Sequence, residues 1–228
     1  MYFTRLKNKF EATVRSCTQN GVRGGSATVH FPIWHQEIED ILVLKNNKGT
    51  EDNRVRKLDY SIQISQLFYQ RFITNEDITL FSPHSVPGLY EAFGTPEFDE
   101  LYEKYERATS VPKTKVSARD LFTNMLKERA ETGRIYIMNI DHCNSHSSFT
   151  DKVNMSNLCQ EITLPTDPLT HIDGDGEIAL CILSAINVGT IKLEEISNLC
   201  ALAVRGLEEL IDFQEYPVEA AKRSTKAR

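Results

Sequence analysis

Stretches whose apolar residues alternate every second position are interleaved along this chain with stretches whose apolar residues recur every third or fourth. Few folds accept that order of signals. Residues 26–34 put Ala27, Val29, Phe31 and Ile33 on one side, a strand pattern. The spacing predicts a helix before it, over 9–16, and another after it, over 37–44, ending in the turn-forming Asn46-Asn47-Lys48-Gly49. Residues 59–72 read as helix, and 78–81 as a strand stopped by Ser82-Pro83. Thr95-Pro96 is expected to open a helix striped with Phe98, Leu101, Tyr102 and Tyr105. Ser117 with Asp120 resembles a capping box for the next helix, which Gly133 closes. Residues 134–141, 156–164 and 177–184 read as strands. The final helix carries Leu193, Ile196, Leu199, Ala203, Leu207 and Leu210, spaced for one buried stripe. Strands alternating with helices imply an α/β fold with largely parallel strands, whose chemistry gathers at strand ends and the loops beyond. With no repeat, low-complexity segment or Pro/Gly-rich linker, one continuous unit is expected.

Composition narrows the function. A net charge of -6 argues against a general nucleic-acid binder, since neutralising phosphates takes a basic surface. The basic end, Lys222-Arg223-Ser224-Thr225-Lys226-Ala227-Arg228, reads as a solvated tail. No stretch is long and apolar enough to span a bilayer, and the first residues lack the apolar core of a secretory signal. The five cysteines, Cys17, Cys143, Cys159, Cys181 and Cys200, are widely spaced with no Cys-x-x-Cys pair. Together these features point to a reducing cytoplasm and to thiols kept for chemistry or packing.

The string Ser156-Asn157-Leu158-Cys159-Gln160-Glu161-Ile162 carries the most chemistry. In an extended chain Asn157, Cys159 and Glu161 share one face, and Leu158, Gln160 and Ile162 the other. A cysteine nucleophile needs its thiolate, favoured by a cation or a helix N-terminus. A carboxylate on the same face does the opposite, so nucleophilic catalysis is disfavoured. A neutral thiol suits hydrogen-atom transfer: the sulfur becomes a thiyl radical and takes a hydrogen atom from a substrate. Glu161 would accept a proton from a substrate hydroxyl, and Asn157 would hold a second polar group. The plainer alternative is a free cysteine that packs, with polar neighbours by chance.

Cys181, late in an expected strand, could join a dithiol that supplies two electrons by closing to a disulfide, or could be a small buried hydrophobe. The stretch Cys17-Thr18-Gln19-Asn20-Gly21-Val22-Arg23-Gly24-Gly25-Ser26 is neither a Walker loop nor a dinucleotide fingerprint. Gly24 and Gly25 would let the backbone approach a ligand, Arg23 offers a planar fork, and Gln19 an amide; a plain surface turn is the alternative. The sequence Asp141-His142-Cys143-Asn144-Ser145-His146 crowds two His and a Cys, but a structural zinc site needs a second ligand pair, so no metal site is expected.

Several ordered strings together resemble the large (alpha) subunit of class I ribonucleoside-diphosphate reductase. They are Ser16-Cys17-Thr18-Gln19-Asn20-Gly21-Val22-Arg23-Gly24-Gly25, Leu42-Val43-Leu44-Lys45-Asn46-Asn47-Lys48-Gly49 and Asp77-Ile78-Thr79-Leu80-Phe81-Ser82-Pro83-His84. Three more follow: Thr132-Gly133-Arg134-Ile135-Tyr136, Ser156-Asn157-Leu158-Cys159-Gln160-Glu161 and Pro217-Val218-Glu219-Ala220-Ala221-Lys222-Arg223. The resemblance implies part of a ten-stranded α/β barrel of two half-barrels, with residues 150–164 forming a finger loop and the strand after it. It implies Cys159 as the transient thiyl radical, Glu161 as general base, Asn157 as a substrate partner and Cys181 as one of two electron-delivering thiols. Residues 17–27 would form the specificity loop, in which Gln19 and Arg23 read the substrate base.

The resemblance also implies partners: a small (beta) subunit carrying a metal-radical centre, thioredoxin or glutaredoxin as reductant, and a ribonucleoside diphosphate substrate. A nucleoside triphosphate effector acts on the full subunit, and no cofactor is bound by this chain directly. Nothing here matches the family's N-terminal cone, the later barrel strands or the C-terminal shuttle cysteines. Residues 1–228 are therefore expected to be the central part of the barrel, incomplete at both ends, working with separate polypeptides that carry the rest. The alternatives are an inactive remnant and a purely regulatory nucleotide-binding fragment.

Overall fold

The structure, a computed structural model, describes residues 3–19, 21–172 and 174–227. The chain divides into two compact units, the first ending at Thr163 and the second beginning at Leu164. No composition shift in the sequence marks that boundary.

In the first unit, α1 (Phe3–Ser16) leads into a hairpin of β1 (Thr18–Gln19) and β2 (Arg23–Gly24). Next come β3 (Ala27–Pro32), α2 (Ile38–Leu42), β4 (Leu58–Ile64), α3 (Gln66–Thr74), β5 (Asp77–Phe81) and α4 (Leu89–Ala92). The unit continues with α5 (Phe98–Arg107), β6 (Lys113–Ser117), α6 (Ala118–Thr132), β7 (Ile135–Asn139) and α7 (Ile140–Ser145). The strands β3, β4 and β7 form a parallel sheet in that order, and β5 pairs with β6 antiparallel. The described strands mix with helices as an α/β fold requires, and they do not form a closed barrel.

The central strand β4 fixes the two faces of the sheet. Tyr60, Ile62 and Ile64 point to one side and are buried with Phe31, Ile33, Trp34, Phe68 and Ile135 in the core. Ser61 and Gln63 point to the other side, and both are fully buried despite being polar. Across that side the register sets His30 beside Ser61, Ser61 beside Tyr136, and Gln63 beside Met138. Aromatic rings fill the space around the helices: Phe122 of α6 meets Phe68, Tyr69 and Phe72 of α3 with centroids 5.0–6.0 Å apart.

Several sequence expectations hold. The strands at 26–34 and 78–81 form, Phe98 and Tyr102 are buried, and Ser117 Oγ accepts from Asp120 N at 3.2 Å to cap α6. Gly133 ends α6 in the left-handed region, at φ 66°.

Others do not. Residues 59–72 were expected to be helical, but β4 occupies 58–64 and α3 starts only after Ser65. Tyr60, Ile64, Leu67 and Phe68 follow a three-to-four spacing by running across the strand–helix junction, so the period misleads. Thr95-Pro96 does not open α5; the helix begins at Phe98, and the Thr95 hydroxyl bonds instead to the Ala92 carbonyl at 2.8 Å. The strand at 134–141 stops at Asn139 and turns into α7, where Asp141 Oδ2 accepts from Gln66 N at 2.6 Å. Residues 156–164 and 177–184 are not strands, because neither forms a backbone ladder with a strand among the described residues. In the second, Glu177 exchanges bonds with Asp167, N to carbonyl and N to Oε2, both at 3.0 Å.

The second unit holds α8 (Ile196–Phe213) and α9 (Glu219–Ala227). The stripe of α8 forms as spaced, but no residue of that helix is buried, and Leu193 and Leu210 are exposed. Periodicity sets which side chains align and leaves open what covers them. The basic end is helical as far as Ala227, with Lys222, Arg223 and Lys226 exposed to solvent as expected, while Arg223 Nη2 donates to the carbonyls of Gly174 and Gly176, both at 3.0 Å.

Candidate active site

Residues 156–162 form a closed turn where an extended strand was expected. Gln160 N donates to the Asn157 carbonyl at 3.2 Å, and Asn157 N donates to the Ile162 carbonyl at 3.1 Å. Ile162 N returns a bond to Asn157 Oδ1 at 3.0 Å, and Ser156 Oγ donates to the Ile162 carbonyl at 2.7 Å. Gln160 takes φ 69°, a left-handed conformation that reverses the chain just after Cys159.

The two-residue alternation that placed Asn157, Cys159 and Glu161 on one face therefore does not apply. Asn157 is half-buried, and its side-chain oxygen braces the turn from within. Cys159 and Glu161 are both exposed, two positions apart around the reversal, and the Cys159 thiol is free. The turn offers an accessible sulfur and an accessible carboxylate on a hydrogen-bonded frame.

That frame lies against the polar side of the sheet. Gln63 Nε2 donates to the Asn154 carbonyl at 2.5 Å, Thr28 Oγ1 to the Leu158 carbonyl at 2.7 Å, and Gln160 Nε2 to Ser61 Oγ at 2.8 Å. Burial pushes His30, on the same side, below the usual histidine range, with a backbone bond at Ser156 opposing it. These contacts were missed in the sequence. Their signal is the alternation of Asp59, Ser61 and Gln63 with Leu58, Tyr60, Ile62 and Ile64, which the helix expected over 59–72 obscures.

Beside the turn lies a cavity of about 470 Å³ lined in part by Met138, Asn139, His142, Cys143, His146 and Gln160. Gln160 Oε1 is buried next to it with no hydrogen-bond partner among the described residues. The His142 and His146 rings meet edge-on at 5.6 Å, and burial pushes the Cys143 thiol up. Among the described residues, no group of three or more His, Cys, Asp or Glu side chains is placed to hold a metal ion.

The other expected site residues fall as follows. Arg23 is exposed on β2, opposite Gln19 of β1, and Gly24 pairs with Thr18. The Gln19 side chain and all of Asn20 lie outside the described residues. Cys17 is exposed, and its backbone packs against Gly25. A Cβ at Gly25 would fall 2.3 Å from the Val14 carbonyl oxygen and 2.6 Å from that of Cys17, so only glycine fits there. Cys181 is exposed and free in the second unit. No described helix is long and apolar enough to cross a membrane.

Comparison with known proteins matches residues 4–228 to the family described as ribonucleotide reductase, barrel domain. The chain is 57% identical over 226 residues to the ribonucleoside-diphosphate reductase subunit alpha of Haemophilus influenzae. It is 55% identical over 226 residues to the reductase 1 subunit alpha of Escherichia coli, and 43% identical over 228 to the subunit alpha of Enterobacteria phage T4. Each match covers 96% of this chain and 30% of the relative, so the chain spans about 30% of the length of these relatives. A family match running from residue 4 to residue 228, with identities above one half to two bacterial subunits, establishes that this chain belongs to the ribonucleotide reductase barrel-domain family.

Proposed function

We propose that this chain supplies the radical-bearing part of a ribonucleoside-diphosphate reductase large subunit, which reduces ribonucleoside diphosphates to their deoxy forms. The reading rests on one observation: a free, exposed thiol at Cys159 sits on a braced turn, with the exposed Glu161 carboxylate two residues on. Cys159, as a thiyl radical, takes a hydrogen atom from the substrate and returns one at the end of the turnover. Glu161 accepts a proton from a substrate hydroxyl. Asn157 holds the turn in shape and presents its amide to the substrate. Cys181 is one of two thiols that close to a disulfide as they deliver two electrons.

In this reading residues 150–164 are the finger loop of a ten-stranded barrel made of two half-barrels, and residues 17–27 are the specificity loop. Cys17, Gln19, Arg23, Gly24 and Gly25 then shape the response to the substrate base and to a nucleoside triphosphate effector. The metal-radical centre resides on a separate small (beta) subunit and initiates the radical. Thioredoxin or glutaredoxin restores the thiols, the remaining segments of the large subunit complete the barrel, and the assembly works in the cytoplasm.

The test is reconstitution of turnover with the remainder of the large subunit and the small subunit. Cys159→Ser is expected to abolish deoxynucleotide formation, whereas Cys181→Ser should allow a single turnover at most. Turnover that survives Cys159→Ser would remove the radical reading.

A further inference from the structure

Cys159 lies between two anchors on neighbouring strands. The residue before it, Leu158, gives its carbonyl to the Thr28 hydroxyl of β3 at 2.7 Å. The residue after it, Gln160, donates from Nε2 to Ser61 Oγ of β4 at 2.8 Å. The strands β3 and β4 pair in parallel, with Thr28 opposite Asp59 and His30 opposite Ser61, so the anchors sit two register steps apart. Ser61 is fully buried in the central strand, which gives its hydroxyl a fixed position. The left-handed turn at Gln160 accompanies the bond that carries its amide to that hydroxyl.

We propose that Thr28, Ser61 and Gln160 are positioning residues that fix where the Cys159 sulfur stands, an inference that rests on the radical reading above. Hydrogen-atom transfer requires the sulfur and the donor carbon at near-contact distance, where a displacement of one ångström costs on the order of a hundredfold in rate. One hydrogen bond on the turn would leave it free to pivot. Two bonds, one on each side of Cys159 and made to adjacent strands, remove that freedom. None of the three side chains needs to touch the substrate to act in this way.

The substitutions that test this keep side-chain shape and remove a single polar group: Thr28→Val, Gln160→Met and Ser61→Ala, with Thr28→Ser as the conservative control. In the full chain, amide hydrogen exchange over residues 156–163 is expected to accelerate about tenfold in Thr28→Val and Gln160→Met, the loss of one net hydrogen bond. Exchange over residues 58–64 should stay as in the parent, and Thr28→Ser should recover the slow exchange. In the reconstituted reductase the first three variants should lower kcat about tenfold while KM stays fixed. Combining Gln160→Met with Ser61→Ala should cost no more than either alone, because both remove one bond.

Unchanged exchange over 156–163 would overturn the proposal. So would faster exchange with kcat intact, or a KM that rises in step with the loss of kcat. The radical reading is judged on a different variant, Cys159→Ser, so the two failures cannot be confused.

Discussion

Arg71 and Glu106 meet as a two-pronged pair, with Nη1 2.6 Å from Oε1 and Nη2 2.6 Å from Oε2. The pair ties α3 to α5, with side chains only 10% and 16% exposed. Arg71 also lies over the Tyr102 ring, 5.2 Å from its centroid, and the Thr79 hydroxyl donates to the same carboxylate. Two charges this sheltered are tolerated because nearly every polar atom is bonded.

Glu106→Gln leaves Arg71 as a sheltered charge without its partner. It should destabilise the first unit by about 3 kcal/mol, read from the denaturant midpoint. Burial alone would raise the Glu106 carboxyl, but the bonds from Arg71 and Thr79 outweigh it and hold the group below its ordinary 4.5. The unfolded chain therefore takes up this proton first. The pair's contribution is complete above about pH 4.5 and is lost as pH falls through the lower folded value. In Glu106→Gln that last acid loss should disappear.

A second acid response begins nearer neutrality. Burial pushes His35 below its ordinary 6.5, with the nearby Glu37 charge opposing it, and His35 Nδ1 accepts from Glu37 N at 3.1 Å. Protonating that nitrogen removes the acceptor. With the folded value lowered, the unfolded chain binds the proton first, so stability falls as pH drops below about 6.5. Unfolding midpoints at pH 7, 6 and 5 should decline in the parent and decline less in His35→Gln; parallel declines would assign the effect to other groups.

Gly25→Ala places a methyl against two backbone oxygens that cannot rotate away. The hairpin of β1 and β2 must shift relative to the end of α1, at a cost of about 2 kcal/mol. In the reconstituted enzyme the substitution should disturb discrimination among substrates more than the maximal rate. Assays with the four ribonucleoside diphosphates, each with its effector, would reveal this; a uniform loss across all four would contradict it.

Ser117→Ala removes the cap at the start of α6. It should lower stability by about 1 kcal/mol, whereas Ser117→Asp should retain most of it. Thermal unfolding of the three proteins would check the order.

The sequence made some parts of this architecture readable and hid others. The edges of α6 could be read because Ser117 and Gly133 act through local backbone chemistry that no distant contact overrides. The strand β4 could not, because Ser65 joins it to α3 with no Gly or Pro, and the apolar residues on either side keep step with a helix. The chemistry-bearing residues of 156–161 were evident, but their arrangement was not. Alternation assumes an extended chain, and the bond from Ile162 N to Asn157 Oδ1 closes this one into a turn. Thr28 and Ser61 drew no notice because a hydroxyl in a strand acquires meaning only when the segment it contacts, some hundred residues further on, is known.

The two-sided character of β4 also bears on how the sheet reaches a single alignment. If β4 slid by one position between β3 and β7, Ser61 and Gln63 would be thrust into the oily layer and Ile62 would face the 154–162 segment. Any odd-numbered slip strands two polar groups at once. The hydroxyl and the amide that hold the 154–162 segment thus also disfavour a one-position misalignment of the sheet that carries them.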